Sequence, residues 1–195
     1  MNWIPAIEVE SAHGTREVSL STRHLMNRTL FLRGSIDADR ADDFLSELLY
    51  LEGTDEPVTL YINSPGGEIN AGLMIYDAIQ GSGLTIKMVC TGLAASMAAL
   101  IFAGGQKGRR FILPHSKVMI HEPLIMGGVG GSATSIKNIS DSILETREVV
   151  NGILSKHTGK TVKEIDTATS FDNMMNAEEA IKFGLCDRIT KSIRV

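Results

Sequence analysis

Residues 58–99 read VTLYINSPGGEINAGLMIYDAIQGSGLTIKMVCTGLAASMAA, and the order of elements in this stretch sets the fold. Apolar and polar residues alternate over the first six positions, which is typical of a β-strand. The SPGG turn then leads into a helix predicted to run to about Gln80. A second strand over Thr85–Cys90 precedes a short helical run, Leu93–Ala99. Two strand–helix units in succession predict an α/β fold with mainly parallel strands.

The same alternation continues on both sides of this stretch. An amphipathic helix is predicted before it, ending at a glycine, and two short strands and a closing helix–strand unit are predicted after it. These predicted elements are Asp39–Glu52 with Gly53 after it, Phe111–Leu113, Val118–His121, Ala177–Phe183 and Leu185–Ile189.

One segment departs from this alternation. The glycine-rich run Met126–Ser132 precedes a long helix that has apolar residues from Ile136 to Ile153 and ends before Gly159. A protruding arm is one interpretation of this segment. The other is a surface loop followed by an ordinary core helix, and periodicity alone favours this second interpretation.

Composition narrows the class of protein. A chain of 195 residues, 43% of them hydrophobic, is long enough for one domain with a substantial core. The formal charge of −4 with scattered Lys and Arg disfavours nucleic acid and anionic membranes as partners, so proteins or peptides are expected instead.

The chain is expected to be a soluble, cytoplasmic protein. Its longest apolar run, Val89–Ala103, is interrupted by polar residues and is shorter than the ~18 residues of a membrane-spanning helix. The N-terminus lacks a basic region followed by a long apolar stretch, so no secretory signal is predicted. Cys90 and Cys186 lie in apolar runs and are predicted to be buried, reduced thiols.

The residue pattern contains candidates for nucleophilic catalysis. Ser96 stands at a strand-to-helix turn, where free N–H groups favour a developing anion, and His121 ends a hydrophobic strand. Such a serine needs a base and an acid that orients the base. From the residues alone, a capping or packing role is favoured for Ser96, and a hydrogen-bonded structural role for His121. Spacing does not choose among the five histidines, which are His13, His24, His115, His121 and His157. Which of the 23 acidic residues takes part is left open.

Gly66 and Gly67 follow Pro65 at a strand end, where they would let the backbone approach a substrate carbonyl or simply turn the chain. Motifs that bind metals, nucleotides or dinucleotides are absent from the sequence, as is the G-x-S-x-G elbow. No cofactor and no metal are therefore expected.

Taken together, several runs in register closely resemble the ClpP family, the proteolytic subunits of the ATP-dependent Clp proteases. The likeness covers nearly the whole chain. The matching runs are YINSPGG (61–67), IYD (75–77), GLAASMA (92–98), KGRRF (107–111), LP (113–114), VMIHEPL (118–124), HTG (157–159), NAEEA (176–180) and GLCD (184–187).

The resemblance implies a site and a fold. It implies Ser96 as nucleophile, His121 as general base and Asp172 as the acid that orients the histidine, with the backbone N–H groups of Gly67 and Met97 as oxyanion donors. It also implies a ClpP/crotonase-like fold of repeated strand–helix units with a protruding strand–helix handle. The expected reaction is hydrolysis of unfolded proteins to short peptides through an acyl-enzyme.

The resemblance further implies an organisation and partners. A single domain over 1–195 would comprise an axial N-terminal segment (1–20), a head (21–125 and 158–195) and a handle (126–157). Two stacked heptameric rings, fourteen subunits, would enclose a chamber. An AAA+ Clp unfoldase would supply the ATP hydrolysis and dock near Tyr61 and Phe111.

The chain departs from the family pattern at several positions. Ser170–Phe171 replaces an Asp–Arg pair before Asp172, Glu122 replaces a glutamine, and Thr59 and Gly81 stand where Tyr and Phe are common. These departures suggest a divergent paralogue. The alternative function is therefore a regulatory or structural ring subunit that needs a paralogous ClpP for assembly and activity. An acyl-CoA enzyme of the crotonase type is a third hypothesis, which leaves Ser96 and His121 unexplained.

Overall fold

The computed structural model describes residues 5–11, 14–125 and 127–195, so His13 and part of the predicted axial segment lie outside the described residues. The strands are β1 (Ala6–Ser11), β2 (Gly14–Ser19), β3 (Thr29–Ile36), β4 (Val58–Gly67), β5 (Ile86–Ala95), β6 (Arg110–Ile112), β7 (Lys117–Ile120), β8 (Asn173–Met175) and β9 (Arg188–Ile189). The helices are α1 (Leu20–Met26), α2 (Ala38–Leu51), α3 (Ile69–Gly81), α4 (Met97–Ala103), α5 (Ala133–Thr158), α6 (Val162–Thr169) and α7 (Ala177–Phe183).

The main sheet is largely parallel, which confirms the predicted α/β fold. Its strand order is β3-β4-β5-β6-β9, and all of these neighbours run parallel. Strand β5 changes partner along its length, because its first half pairs with β6 and its last residues, Leu93–Ala95, pair with β7. Strand β8 then runs antiparallel to β7. The end of β5 is therefore held next to the β7–β8 pair.

The core forms where the sheet meets the helices. Val58, Leu60 and Ile62 of β4 are fully buried, as the alternating pattern predicts. Helix α2 is capped at its N-terminus by Asp37, whose side chain accepts the Arg40 N–H, and it buries one apolar face. The residues of α4 are all buried, so this short helix lies at the centre of the molecule.

The structure corrects the predicted start of the Ser96 helix. Leu93–Ala95 belong to β5, and the helix begins only at Met97. Small residues favour a helix locally, but here the backbone is hydrogen-bonded on both sides, and Asn63 Oδ1 accepts the Leu93 N–H at 3.1 Å. Strand β9 is also shorter than predicted and leaves Cys186 in a loop.

Several elements had no prediction from the sequence. They are the β1–β2 hairpin, α1, β3, α6 and β8. Short strands and helices carry too few residues for a clear period, and their positions depend on pairing with distant segments.

The long helix α5 is an arm for most of its length and part of the core at its base. Val150, Asn151 and Leu154 are buried, whereas Ile136 and Leu144 are 45% and 51% exposed. The interpretation as an ordinary core helix is therefore wrong for the first part of α5. Residues 127–132 form no strand, because a strand needs a hydrogen-bonded neighbour and these residues pair with none of the described strands. The boundaries of the axial, head and handle segments, which the family resemblance implies, remain predictions.

Candidate active site

Ser96 occupies a strained backbone position between β5 and α4. Its φ of 55° and ψ of −124° are rare for a residue other than glycine. The Ser96 N–H donates to Met119 O at 2.8 Å, which fixes the turn against β7. A Cβ added to Gly66 would lie 2.7 Å from the Ser96 Cβ, so β4 can approach this turn only because position 66 is glycine. The result is a sharp turn that presents the Ser96 hydroxyl.

His121 and Asp172 reach Ser96 from the β7–β8 pair. The Ser96 Oγ lies 2.8 Å from His121 Nε2, and His121 Nδ1 lies 3.1 Å from Asp172 Oδ1. His121 follows directly after β7 and Asp172 directly precedes β8, and these two strands pair through Ile120 and Asn173. With its proton on Nδ1, the imidazole donates to Asp172 and accepts from the Ser96 hydroxyl.

The histidine and the aspartate of this site differ in exposure. The His121 side chain is 16% exposed, whereas the Asp172 side chain is 76% exposed. Within the described part of the chain, Asp172 has no side-chain hydrogen bond other than the one to His121. Its position therefore depends on the backbone that carries it.

A cavity of about 240 Å³ opens beside Ser96 and His121. Gly67 and Met97, whose backbone N–H groups are the predicted oxyanion donors, line it next to Ser96. Met97 is the first residue of α4, where N–H groups have no partner within the helix. The walls are mainly apolar and come from Ile69, Leu100, Ile120, Leu124, Val150 and Leu154. Such a cavity suits an apolar side chain next to the reacting carbonyl.

A serine, histidine and aspartate in this linear arrangement can perform acyl transfer, and the relationship of the chain to known proteins agrees with that chemistry. The family model described as Clp protease matches residues 12–193. The chain belongs to the Clp protease family. Membership supports a ClpP-type peptidase, and the mixed α/β fold with its parallel sheet is consistent with ClpP.

Among the described residues of this Clp protease family member, no other candidate histidine is hydrogen-bonded to Ser96. His24 packs edge-on against Phe31, and His157 shares a hydrogen bond of 2.8 Å with the Tyr76 hydroxyl. Burial lowers the pKa of His157, and the charges of Lys156 and Arg110 lower it further. His115 has no hydrogen bond to Ser96. Among the described histidines, His121 is therefore the base that the geometry offers.

The two cysteines are free and buried, as predicted. Burial raises the pKa of Cys90 to about 11 and that of Cys186 to about 12. Both thiols are protonated near neutral pH and are poor nucleophiles. They are therefore not competing candidates for a nucleophile in this member of the family.

The predicted docking residues share one face of the sheet. Tyr61 and Phe111 both align with Val89 of β5, on opposite sides of it. Tyr61 stacks on Phe31 at 5.5 Å between ring centroids and lines a groove of about 740 Å³ together with Thr59 and the C-terminal residues. Its hydroxyl donates to Ile193 O at 2.5 Å. Phe111 lies outside that groove and contacts the Arg188 guanidinium at 5.1 Å.

Two polar residues in the second half of β4 were missed from the sequence. Asn63 accepts the Leu93 N–H, and a Cβ at Gly92 would lie 2.6 Å from its Oδ1. Buried Ser64 donates to Gly34 O at 2.6 Å. Both stabilise the backbone next to the glycine pair. The sequence predicted a turn over Ser64–Gly67, but the structure continues β4 to Gly67. Asn63 and Ser64 were missed because their partners, Leu93 and Gly34, are distant in sequence.

Within residues 5–11, 14–125 and 127–195, no group of three or more His, Cys, Asp and Glu side chains could hold a metal ion. In the same residues, no helix has both the length and the apolar character needed to cross a membrane.

Proposed function

We propose that the chain is a serine endopeptidase subunit that hydrolyses unfolded polypeptides through Ser96, His121 and Asp172. The observation that carries this proposal is the continuous hydrogen-bonded series from Ser96 Oγ through His121 to Asp172, with distances of 2.8 and 3.1 Å. Membership of the Clp protease family supports the peptide bond as the target.

The proposed reaction follows from these contacts. Ser96 Oγ attacks the peptide carbonyl carbon while His121 Nε2 accepts the hydroxyl proton, and Asp172 stabilises the resulting imidazolium. The negative charge on the carbonyl oxygen is met by the N–H groups of Gly67 and Met97. His121 then gives its proton to the leaving amine. Water, activated by the same histidine, cleaves the Ser96 ester and releases the second peptide.

Labelling with a fluorophosphonate tests the nucleophile directly, because such probes phosphonylate only an activated serine. We expect one label per chain at Ser96, and its loss in Ser96→Ala. Ser46→Ala, which changes an exposed helical serine, is the matched control and should label like the wild type. A wild-type protein that stays unlabelled as both the isolated chain and its largest assembly would contradict the proposal.

We further propose that this activity belongs to a self-compartmentalised, ATP-dependent protease in the cytoplasm. Two heptameric rings, the AAA+ Clp unfoldase as partner, and the axial (1–20), head (21–125 and 158–195) and handle (126–157) segments are part of this proposal. The long exposed arm of α5 supports it, since apolar residues on that arm need a partner surface. No nucleic acid, membrane or cofactor has a role in it.

A second candidate function is a ring subunit that becomes active only beside a paralogous ClpP. The observation that favours it is the exposure of the segment that carries the acid: Phe171 is 59% exposed and the Asp172 side chain 76%. Such a segment can be stabilised by a neighbouring subunit. Peptidase activity of a mixture above the sum of the separate proteins would support this function, whereas simple additivity would contradict it.

A further inference from the structure

Arg147 lies between the two segments that carry His121 and Asp172. Its Nε is 3.3 Å from Glu122 Oε2, and its Nη2 is 2.5 Å from Asp166 Oδ1. Glu122 is the residue after His121, and Asp166 belongs to α6, the helix that precedes Asp172. One guanidinium on α5 therefore connects both flanks of the histidine–aspartate contact.

The contact with Asp166 is shared by a second residue on the same face of α5. Asn151 follows Arg147 by one helical turn, is 2% exposed, and donates from Nδ2 to Asp166 Oδ1 at 3.2 Å. The contact with Glu122 is an ion pair without hydrogen-bond alignment, since Arg147 Nε is buried and makes no hydrogen bond. Helix α5 thus contacts α6 through an ion pair and a hydrogen bond, and it attracts Glu122 mainly by charge.

The two flanks also touch each other next to the site. The Glu122 N–H donates to Thr169 O at 2.7 Å, and Ile120 pairs with Asn173 in the β7–β8 ladder. Asp172 lies between these two backbone contacts. Any separation of α6 from the loop after His121 would therefore move the exposed carboxylate away from His121.

Without Arg147, two carboxylates would face the space that the guanidinium now fills. Glu122 and Asp166 are 40% and 48% exposed, so water would reduce their repulsion but not remove it. The repulsion would act across the Glu122–Thr169 contact. The arginine converts this repulsion into an attraction that draws the two segments together.

We propose that Arg147 is a positioning residue for the reaction, which holds the Glu122 loop and α6 together so that Asp172 stays within hydrogen-bond distance of His121. This inference rests on the proposed serine peptidase function. Arg147 does not touch the substrate or the reacting atoms. Its effect on the reaction passes through the Asp172–His121 distance.

The test compares Arg147→Met with the wild type in a peptidase assay and in fluorophosphonate labelling of the same full-length protein. Methionine keeps the unbranched stem and removes the charge. We expect kcat and the labelling rate to fall roughly 10- to 100-fold, because a displaced catalytic group loses its orientation. KM should stay within about 2-fold, since Arg147 itself does not line the cavity. Lys156→Met removes an exposed charge from the same helix and should match the wild type.

Rescue variants separate positioning from a simple packing role. The triple change Glu122→Gln, Arg147→Met and Asp166→Asn removes the repelling carboxylates with the arginine and should recover most of the lost rate. A packing role would show no such recovery. If Arg147→Met is poorly folded, Asp166→Asn alone replaces it, with a smaller loss of kcat at unchanged KM expected.

These experiments distinguish failure of the proposed peptidase function from failure of the role of Arg147. A wild-type protein without a label at Ser96 refutes the proposed function itself. If the wild type is labelled and Arg147→Met or Asp166→Asn reacts at the wild-type rate, only the role of Arg147 is refuted. A rise in KM at unchanged kcat would refute that role as well.

Discussion

Ser96 combines a strained backbone with a side chain that is hydrogen-bonded to His121. Non-glycine residues at such dihedral angles cost on the order of 1–3 kcal/mol. The strain is held by the Ser96–Met119 hydrogen bond and by the close approach of Gly66. A serine that served only to cap a helix would have an extended backbone and a side-chain bond to the first turn, and Ser96 has neither.

The approach of Gly66 leads to a prediction about a single methyl group. We expect Gly66→Ala to reduce labelling of Ser96 more than 10-fold, because the new Cβ would lie 2.6 Å from Ala95 O and 2.7 Å from Ser96 Cβ. The matched control is Gly53→Ala. Gly53 has a similar φ, +94° against +90°, but no atom within 4 Å of the added Cβ.

Both variants incur the backbone cost of a positive φ, roughly 1 kcal/mol. Thermal unfolding gives the fraction of each variant that is folded. Only Gly66→Ala should be labelled more slowly than this folded fraction explains. Equal labelling rates for the two variants would show that the close approach of β4 does not position Ser96.

At the scale of elements, α5 has two parts with different surroundings. Its base packs into the core, whereas its first turns expose Ile136, Ile139 and Leu144. A row of exposed apolar residues on a helix of 26 residues is unfavourable in water unless another surface covers it. The arm is thus the element on which the proposed assembly depends.

We expect Leu144→Asp to shift the protein from a large assembly to a smaller species, because a charge placed in an apolar interface must be desolvated. Leu144 is 51% exposed in the single chain, so the fold itself should tolerate the change. Asn138→Asp adds the same charge at an exposed polar position of α5 and is the control. The mass in solution by light scattering measures the outcome. An unchanged mass for Leu144→Asp would exclude this face of α5 from the assembly.

At the scale of the whole molecule, a buried ion pair closes one edge of the sheet. Arg110 is 2% exposed and donates to both carboxylate oxygens of Asp187, at 2.8 and 3.2 Å, at the point where β6 meets the start of β9. Burial by itself raises the pKa of Asp187. Hydrogen bonds from Arg110 and from the Gly108 N–H outweigh burial, so the net pKa is lowered.

We expect Asp187→Asn to destabilise the fold by about 3 kcal/mol at pH 7, since it leaves the buried Arg110 charge without its counter-ion. A lowered pKa in the folded state means that the pair stabilises the protein above the ordinary aspartate pKa of ~3.9. This contribution is lost as the pH falls through the lowered value. The difference between variant and wild type should therefore shrink in acid.

Urea unfolding at pH 7 and at a series of lower pH values down to about pH 2 measures this difference. Asp141→Asn, which removes an exposed pair with Lys137, is the control and should cost under about 0.5 kcal/mol. If Asp187→Asn loses no more free energy of unfolding than this control, the buried ion pair does not stabilise this edge of the sheet.

The sequence by itself determined the α/β class, because each strand and helix from Val58 to Gly81 has a local period of apolar residues that needs no distant partner. Periodicity also located α2 and α7 to within a residue or two. Family resemblance supplied Ser96, His121 and Asp172 as candidates, and a local pattern could not have chosen this histidine or this aspartate.

Only the tertiary structure decided which groups meet. His121 is 25 residues from Ser96 and 51 from Asp172, so their contacts arise from the pairing of β5, β7 and β8 and not from a local motif. The same pairing extended β5 through residues that favour a helix locally. The exposure of α5 and the contacts of Arg147 depend likewise on which segments pack together. Hydrogen bonding and packing between distant segments outweigh local propensity, and a linear pattern does not contain them.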